Sequence, residues 1–194
     1  QPRELIDTCY RKENLYILPT SKLISDMRHY HPEHIEYLVS LASREFDVVL
    51  IDAGSNIHLG MCVGSLNSTN NKFLVTTQQD NARSYFEMVN DQVFSILDLS
   101  PKDFLLIVNK YVNAPGLYAP SQLADMYKTT LAGTLPYLEY GWQAERDKCT
   151  LLAYGNNEYE KQISNISKLI TELLDIEYIN ISVKKKSLFK KLFA

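Results

Sequence analysis

The sequence predicts an α/β protein with a doubly wound, mostly parallel sheet. Short apolar runs suited to buried strands alternate along the 194 residues with longer helical patterns. Strands separated by helices of about ten residues or more form βαβ crossovers, which make the connected strands parallel. With 45% hydrophobic and 22% charged residues, the chain can bury a core, and this composition excludes a disordered chain.

The first part of the chain supplies two predicted strands and one helix. Residues 15–18 form a short strand ended by Pro19, and Pro32 begins a helix over 32–45 with its apolar residues on one face. The run FDVVLIDAG over 46–54 is typical of a strand that is buried on both faces. Both strands are therefore expected in the parallel sheet, which should hold at least five strands.

The remainder of the chain continues the alternation and ends in a tail. Further strands are predicted at 72–77, 104–110 and 131–137, and helices at 81–98, 120–129, 139–148 and 158–174. Residues 179–183 are the candidate linker, which predicts a domain over 1–178 and a tail over 179–194.

Ligands of such a sheet bind beyond the carboxyl ends of its strands. The residues that follow the predicted strands are 19–21, 52–56, 76–80, 109–111 and 136–137. Candidate functional residues are therefore sought there first.

The sequence also argues against an integral membrane protein and against a fold held together by disulfides or zinc. No apolar run approaches the ~20 residues that span a bilayer. The three cysteines, Cys9, Cys62 and Cys149, are widely spaced and fit neither a disulfide framework nor a zinc site. A reducing cytoplasm is the compartment that this pattern predicts.

The tail carries a charge opposite to that of the rest of the chain. Its last eleven residues, KKKSLFKKLFA, hold five lysines and no acid, whereas the other 183 residues hold 15 basic and 23 acidic side chains. As a helix, the tail has Leu and Phe on one side and most lysines on the other, which suits an anionic membrane surface. The alternative is a solvated basic terminus. The residues assigned to membrane binding are Lys184, Lys185, Lys186, Leu188, Phe189, Lys190, Lys191, Leu192 and Phe193.

Asp52 is the first candidate for site chemistry, because it ends the apolar run of the predicted strand 46–54. A carboxylate held there can orient the water shell of Mg²⁺. Gly54 and Ser55 provide a turn that can approach a phosphate. The alternative is an aspartate that caps this turn.

Two other clusters have simpler explanations. Three histidines within RHYHPEH (28–34) do not have the spacing of a known metal site, and a surface loop with a helix start explains them. Trp142, Tyr137 and Tyr140 follow the predicted strand 131–137. They can stack on a base, but ordinary core or dimer packing is the favoured explanation.

Several blocks in order resemble the MinD/ParA group of P-loop ATPases over essentially the whole chain. They are ENLYILPTSKLISDM, EFDVVLIDAGS, FLVTTQQDNARS, FLLIVNKY, LAGTLPYLEYGWQAERDKCTLL and the basic tail. The DAGS and VNKY segments are similar to the CpaE/TadZ branch, which serves assembly of Tad pili. The NLYILP segment and the tail are similar to MinD itself.

This resemblance implies a set of roles. Asp52 corresponds to the Walker B aspartate that organises Mg²⁺, Asn109 to a side chain that reads adenine, and Pro136 to a turn that packs against the base. Gly54 is carried over as a further cofactor contact. The implied cofactors are ATP and Mg²⁺, the implied chemistry is phosphoryl transfer from ATP to water, and a homodimer is the implied assembly.

The sequence also departs from the family pattern. It contains no G-x-x-x-x-G-K-[ST] motif, so either the segment that carries the motif is absent from this chain or the protein is a degenerate relative. The chain alone is not expected to hydrolyse ATP. Ala53 and Gly54 stand where the family usually has a proline after the aspartate, which favours the CpaE-like branch.

The expected function is a cytoplasmic ATPase, peripheral on the inner membrane face, that positions a pilus or secretion assembly or the division septum. Its expected partners are anionic lipids, a second copy and proteins of that machine. The alternative is a catalytically inactive, membrane-anchored scaffold of the same fold. Nucleic acid is not an expected partner, because the body carries a net charge of −8 and DNA binding needs many phosphate contacts.

Overall fold

The computed structural model describes residues 2–21, 26, 29–56 and 60–179. The residues assigned above to membrane binding, and the predicted tail from residue 180, lie outside the described part of the chain. No helix within the described ranges is long and apolar enough to cross a lipid bilayer.

The chain is divided into two compact units. The first unit contains residues up to 72 together with 92–98, and the second contains 73–91 and the residues from 99 onward.

Among its described residues, the first unit contains a hairpin and the three helices named here. Its elements are α1 (Pro2–Thr8), β1 (Tyr10–Lys12), β2 (Leu15–Ile17), α2 (Pro32–Glu45) and α3 (Gly60–Ser68). The strand predicted at 15–18 is confirmed as β2, but its expected place in the parallel sheet is wrong, since it pairs antiparallel with β1. The four residues from Lys12 to Leu15 close a tight turn, and Glu13 takes the positive φ (54°) that this turn needs.

Helices α2 and α3 form the contact at the centre of the first unit. Pro32 begins α2 as predicted, and Ile35 and Leu41 are its buried residues. Cys62 and Gly64 are buried on α3. Small residues on α3 let the two helices approach closely, which buries Ile35 and Leu41 more completely than larger side chains would allow.

The strand predicted over 46–54 is not formed. These residues make no strand with any other described segment, and the expected burial on both faces is wrong, since Leu50 is 75% exposed and Val48 is 37% exposed. A β-branched, apolar sequence permits an extended backbone, but a strand also needs a neighbour that pairs with its N–H and C=O groups. Asp52 therefore does not stand at the end of a central strand.

The second unit is an α/β layer. Its elements are β3 (Lys72–Thr76), α4 (Asp80–Val89), β4 (Phe104–Tyr111), α5 (Pro120–Tyr127), β5 (Thr130–Pro136), α6 (Gly141–Arg146) and α7 (Asn157–Leu173). The strands lie in the order β3-β4-β5, and β4 and β5 are parallel. The three strands predicted in this region are confirmed, so the parallel α/β class is correct, but this sheet has three strands among the described residues instead of the expected five or more.

The helices predicted after residue 80 are also close to their predicted positions, with one exception. The helix predicted over 81–98 ends as an α-helix at Val89 and continues as a π-helical turn over Asn90–Phe94. Asp98 has a positive φ of 54°, a conformation that an α-helix does not contain, so the predicted end was too late.

Strand β4 forms the centre of the core. Leu106 and Val108 are fully buried, as expected for a strand with a neighbour on each side and helices against its faces. Helix α7 packs on β5, where a Cβ on Gly133 would lie 3.2 Å from Ile166 Cγ1. The absent side chain at Gly133 allows this close helix-to-sheet contact.

Candidate functional site

The carboxyl end of β4 contains a bulge. Val108 pairs with Thr134 and Tyr111 pairs with Pro136, so three steps along β4 match two steps along β5. Lys110 accommodates the extra residue with a φ of 53°. Non-glycine residues rarely adopt this conformation, and bulges of this kind often lie beside binding sites, where they redirect a side chain.

Asn109 lies in this bulge, two residues before the partner of Pro136. Its Oδ1 accepts a hydrogen bond from the Lys110 backbone N–H at 2.9 Å, which leaves the side-chain NH₂ as the group that can donate to a ligand. The chain after Pro136 remains attached to β4, because Tyr137 N–H donates to Tyr111 O at 2.9 Å. The structure thus brings Asn109 and Pro136 to the same edge of the sheet.

Gln78 connects the end of β3 with the loop that follows β4. Its Oε1 accepts from Val112 N–H at 2.8 Å, and its Nε2 donates to Val112 O at 3.1 Å and to Tyr118 O at 2.9 Å. One side chain therefore holds both ends of the segment 112–118. The sequence identified 76–80 as residues that follow a strand, but gave no sign of this role, since the partners lie 34 and 40 residues away.

A buried polar pair lies below this edge. Thr76 Oγ1 and Tyr127 OH share a hydrogen bond of 2.8 Å, and the Tyr127 ring packs against Phe86 with centroids 4.7 Å apart. Burial raises the pKa of Tyr127, with the Thr76 hydrogen bond opposing it. The neutral phenol thus fixes the carboxyl end of β3 against α5.

Asp52 and Gly54 lie in the first unit. The Gly54 N–H donates to Asp52 Oδ1 at 3.1 Å, and Gly54 has a φ of 66°. This is the turn-capping arrangement that the sequence left open as the alternative for Asp52. The carboxylate is exposed, and one of its oxygens is not used by this turn.

The aromatic residues after β5 divide into two sets. Tyr140 stacks on Tyr154 at 4.9 Å, and Tyr154 OH donates to Asp147 Oδ2 at 2.9 Å. Desolvation of the phenol, together with the hydrogen bond to Asp147, raises the pKa of Tyr154 to about 12, and the same bond lowers the pKa of Asp147. Trp142 is 61% exposed, with the Arg146 guanidinium 5.5 Å from its ring centre. Packing thus accounts for Tyr140, while Trp142 presents a ring to solvent.

The histidines do not converge on a metal site in the described residues. His34 Nδ1 accepts from His31 N–H at 3.2 Å at the start of α2, as expected for a helix start. Among the described residues, no three His, Cys, Asp or Glu side chains are grouped to hold a metal ion.

Comparison with known proteins gives structural matches only. No family model and no curated protein sequence matches the chain. Its structure is similar to the septum site-determining protein MinD of Pyrococcus horikoshii in complex with Mg-ADP, with a TM-score of 0.69 and 17% identity over 87% of this chain and 69% of that one.

Two further solved structures agree with this result. The cell division ATPase MinD of Pyrococcus furiosus has a TM-score of 0.69 and 18% identity, covering 86% of this chain and 70% of that one. A ParA family ATPase of Chlorobium tepidum has a TM-score of 0.66 and 17% identity, covering 89% and 69%. The chain therefore has the α/β fold of the MinD and ParA ATPases, as the sequence blocks predicted.

Proposed function

We propose that this protein is a MinD/ParA-like ATPase that binds an adenine nucleotide at the carboxyl edge of the sheet in its second unit. The observation that carries the proposal is the bulge in β4, which places Asn109 two residues from the partner of Pro136. An adenine ring offers ring-nitrogen acceptors to an amide NH₂ and an apolar face to a proline. The pairing of these two side chains therefore suits adenine.

Magnesium is the cation that such a nucleotide would bring. The exposed Asp52 carboxylate is a hard oxygen donor, and the turn with Gly54 uses only Oδ1, so Asp52 fits a role in holding Mg²⁺ or its water. Bound Mg²⁺ would neutralise phosphate charge during phosphoryl transfer.

The first test is nucleotide binding by the full-length protein. We expect Asn109→Ala to weaken Mg-ADP binding by about fivefold, since a hydrogen bond to the base is worth about 1 kcal/mol. Isothermal titration calorimetry measures this change. Asn165→Ala is the matched control, because Asn165 is an exposed asparagine on α7. Absence of Mg-ADP binding, or equal affinity of the Asn109→Ala variant, would contradict the nucleotide site.

The cellular role that we propose is peripheral attachment to the inner membrane face, where a dimer positions a cell-envelope machine. The basic, amphipathic composition of residues 184–194 supports this part, and two tails in one dimer would bind more firmly than one. The machine would be a Tad-type pilus or secretion assembly, or the division septum.

Membrane binding has its own test. We expect Phe189→Asp to abolish sedimentation with liposomes rich in anionic lipid, because it places a charge on the apolar side of the tail. Ser187→Asp adds the same charge on the lysine side and should weaken binding much less. Equal loss in both variants would mean that net charge alone drives the association. Unchanged binding of Phe189→Asp would overturn the membrane role.

A scaffold without ATP turnover is the second candidate. The observations that favour it are that these 194 residues contain no G-x-x-x-x-G-K-[ST] motif and that segment 46–54 pairs with no strand among the described residues. Phosphate release by the full-length protein distinguishes the two, since a scaffold shows none above the blank whether or not it binds Mg-ADP.

A further inference from the structure

The Gln78 side chain makes an unusual set of contacts for a half-buried glutamine. Its primary amide binds both the N–H and the C=O of Val112, as the backbone of a neighbouring strand would do, and it adds a third bond to Tyr118 O. Side chains usually bond with water or a single backbone group. This contact instead closes a loop.

The loop that Gln78 closes begins directly after the bulge that holds Asn109. Between its ends, Leu117 N–H donates to Ala114 O at 3.2 Å, and Gly116 has a φ of 84°. It is thus a compact surface loop with its two ends held together, a type of loop that is frequently functional. At its far end, Pro120 begins α5.

The three hydrogen bonds of Gln78 with Val112 and Tyr118, which we call the clamp, start from a residue whose own position is firmly fixed. Gln78 lies two residues beyond Thr76, which is buried and bonded to Tyr127. The clamp therefore attaches the loop 112–118 to the rigid end of β3, in addition to the turn within the loop. In the chain, the loop 112–118 directly follows the bulge at Asn109 and Lys110.

We propose that Gln78 is a positioning residue of the nucleotide site: its amide holds Val112, and through it the Asn109 amide, in the orientation that binds the nucleotide base. This inference rests on the proposed function. A base contact made by one amide group needs that group to be preorganised, because each degree of freedom left in the free protein must be lost on binding.

Only an amide can make all three bonds. Alanine removes them all, whereas glutamate keeps the shape and accepts from Val112 N–H but has no donor for the carbonyls of Val112 and Tyr118. Gln79→Ala is the matched control, since Gln79 is the adjacent glutamine and its side chain makes no cap hydrogen bond at the start of α4.

The experiment uses the full-length protein and two readouts. Without nucleotide, hydrogen–deuterium exchange of peptides covering 112–118 is expected to accelerate by about fivefold or more in Gln78→Ala and Gln78→Glu, because a net hydrogen bond is worth about 1 kcal/mol. With nucleotide, calorimetry measures the effect of Gln78→Ala on Mg-ADP affinity in the unmodified protein and in the Asn109→Ala variant. The affinity is expected to fall by about threefold to fivefold in the first background and to change little in the second. Gln79→Ala should change neither readout.

Each outcome decides a different point. Faster loop exchange with a loss of Mg-ADP affinity that depends on Asn109 supports the positioning role. Unchanged exchange overturns the clamp, and faster exchange with no affinity loss, or with a loss that is independent of Asn109, reduces Gln78 to a purely structural residue. If the unmodified protein does not bind Mg-ADP, the proposed function fails and the positioning role fails with it, while the exchange data still report on the clamp.

Discussion

Replacing Tyr127 with alanine is expected to lower the free energy of unfolding of the second unit by about 3–5 kcal/mol. Tyr127 is 1% exposed and is among the largest fully buried side chains of the described residues. Its removal would leave a cavity beside Phe86, whose ring centre is 4.7 Å away, and would deprive Thr76 Oγ1 of its 2.8 Å partner. Urea denaturation followed by circular dichroism measures the change.

The hydroxyl and ring contributions can be separated. Tyr127→Phe keeps the ring but leaves the buried Thr76 hydroxyl with its longer hydrogen bond to Thr77 O at 3.4 Å, which should cost about 1 kcal/mol. Adding Thr76→Val removes the other partner, so the double variant should recover part of that loss. Tyr137→Ala is the control, because Tyr137 is 53% exposed and its loss should change stability by only about 0.5 kcal/mol. A loss in Tyr127→Ala no larger than in Tyr137→Ala would contradict the buried role.

The same pair determines a dependence on alkaline pH. Burial raises the pKa of Tyr127 above its value in the unfolded chain, so above about pH 10 the folded state retains a proton that the unfolded state has lost. The contribution of this residue to stability is therefore complete below about pH 10 and decreases as the pH rises further. Tyr127→Phe should remove this contribution to the pH dependence.

The sequence predicted the elements whose signals are local. The runs at 104–110 and 131–137 are apolar and short, and the structure confirms both as neighbouring parallel strands. The run at 46–54 has the same composition but forms no strand. The difference is pairing, because β4 has neighbours that satisfy its backbone and the described residues offer none to 46–54. Composition cannot supply that information.

The candidate site also contains residues that the sequence predicted and features that it did not. Asn109 and Pro136 follow from the rule that strand ends carry ligand sites, and they do lie at one sheet edge, although their roles remain predictions. The positive φ of Lys110 and the clamp by Gln78 were not foreseeable. Both depend on register and on contacts between residues far apart in the chain. At 17% to 18% identity the solved structures support the fold, so function must be argued from such details.

Replacing Gly64 with alanine tests the close helix contact of the first unit, and we expect a net loss of stability of up to about 2 kcal/mol. A Cβ at this position would lie 2.5 Å from Pro32 O and 2.8 Å from Ile35 Cβ. The first of these is backbone, so helices α2 and α3 must move apart. Alanine favours a helix by about 1 kcal/mol over glycine, but overpacking of a close contact costs about 1–3 kcal/mol or more. Urea denaturation measures the balance.

The reactivity of Cys62 reports locally on whether helices α2 and α3 move apart. It is buried on α3, two residues before Gly64, and burial raises its thiol pKa, so little reactive thiolate is present at neutral pH. Gly64→Ala should expose this thiol and accelerate its modification by iodoacetamide, measured by mass spectrometry of the Cys62 peptide. Gly141→Ala is the control, because a Cβ there meets no atom within 4 Å. If Gly64→Ala is as stable as the unmodified protein and leaves Cys62 unmodified, the close helix contact is wrong. A loss of stability with protected Cys62 would place the strain elsewhere than between α2 and α3.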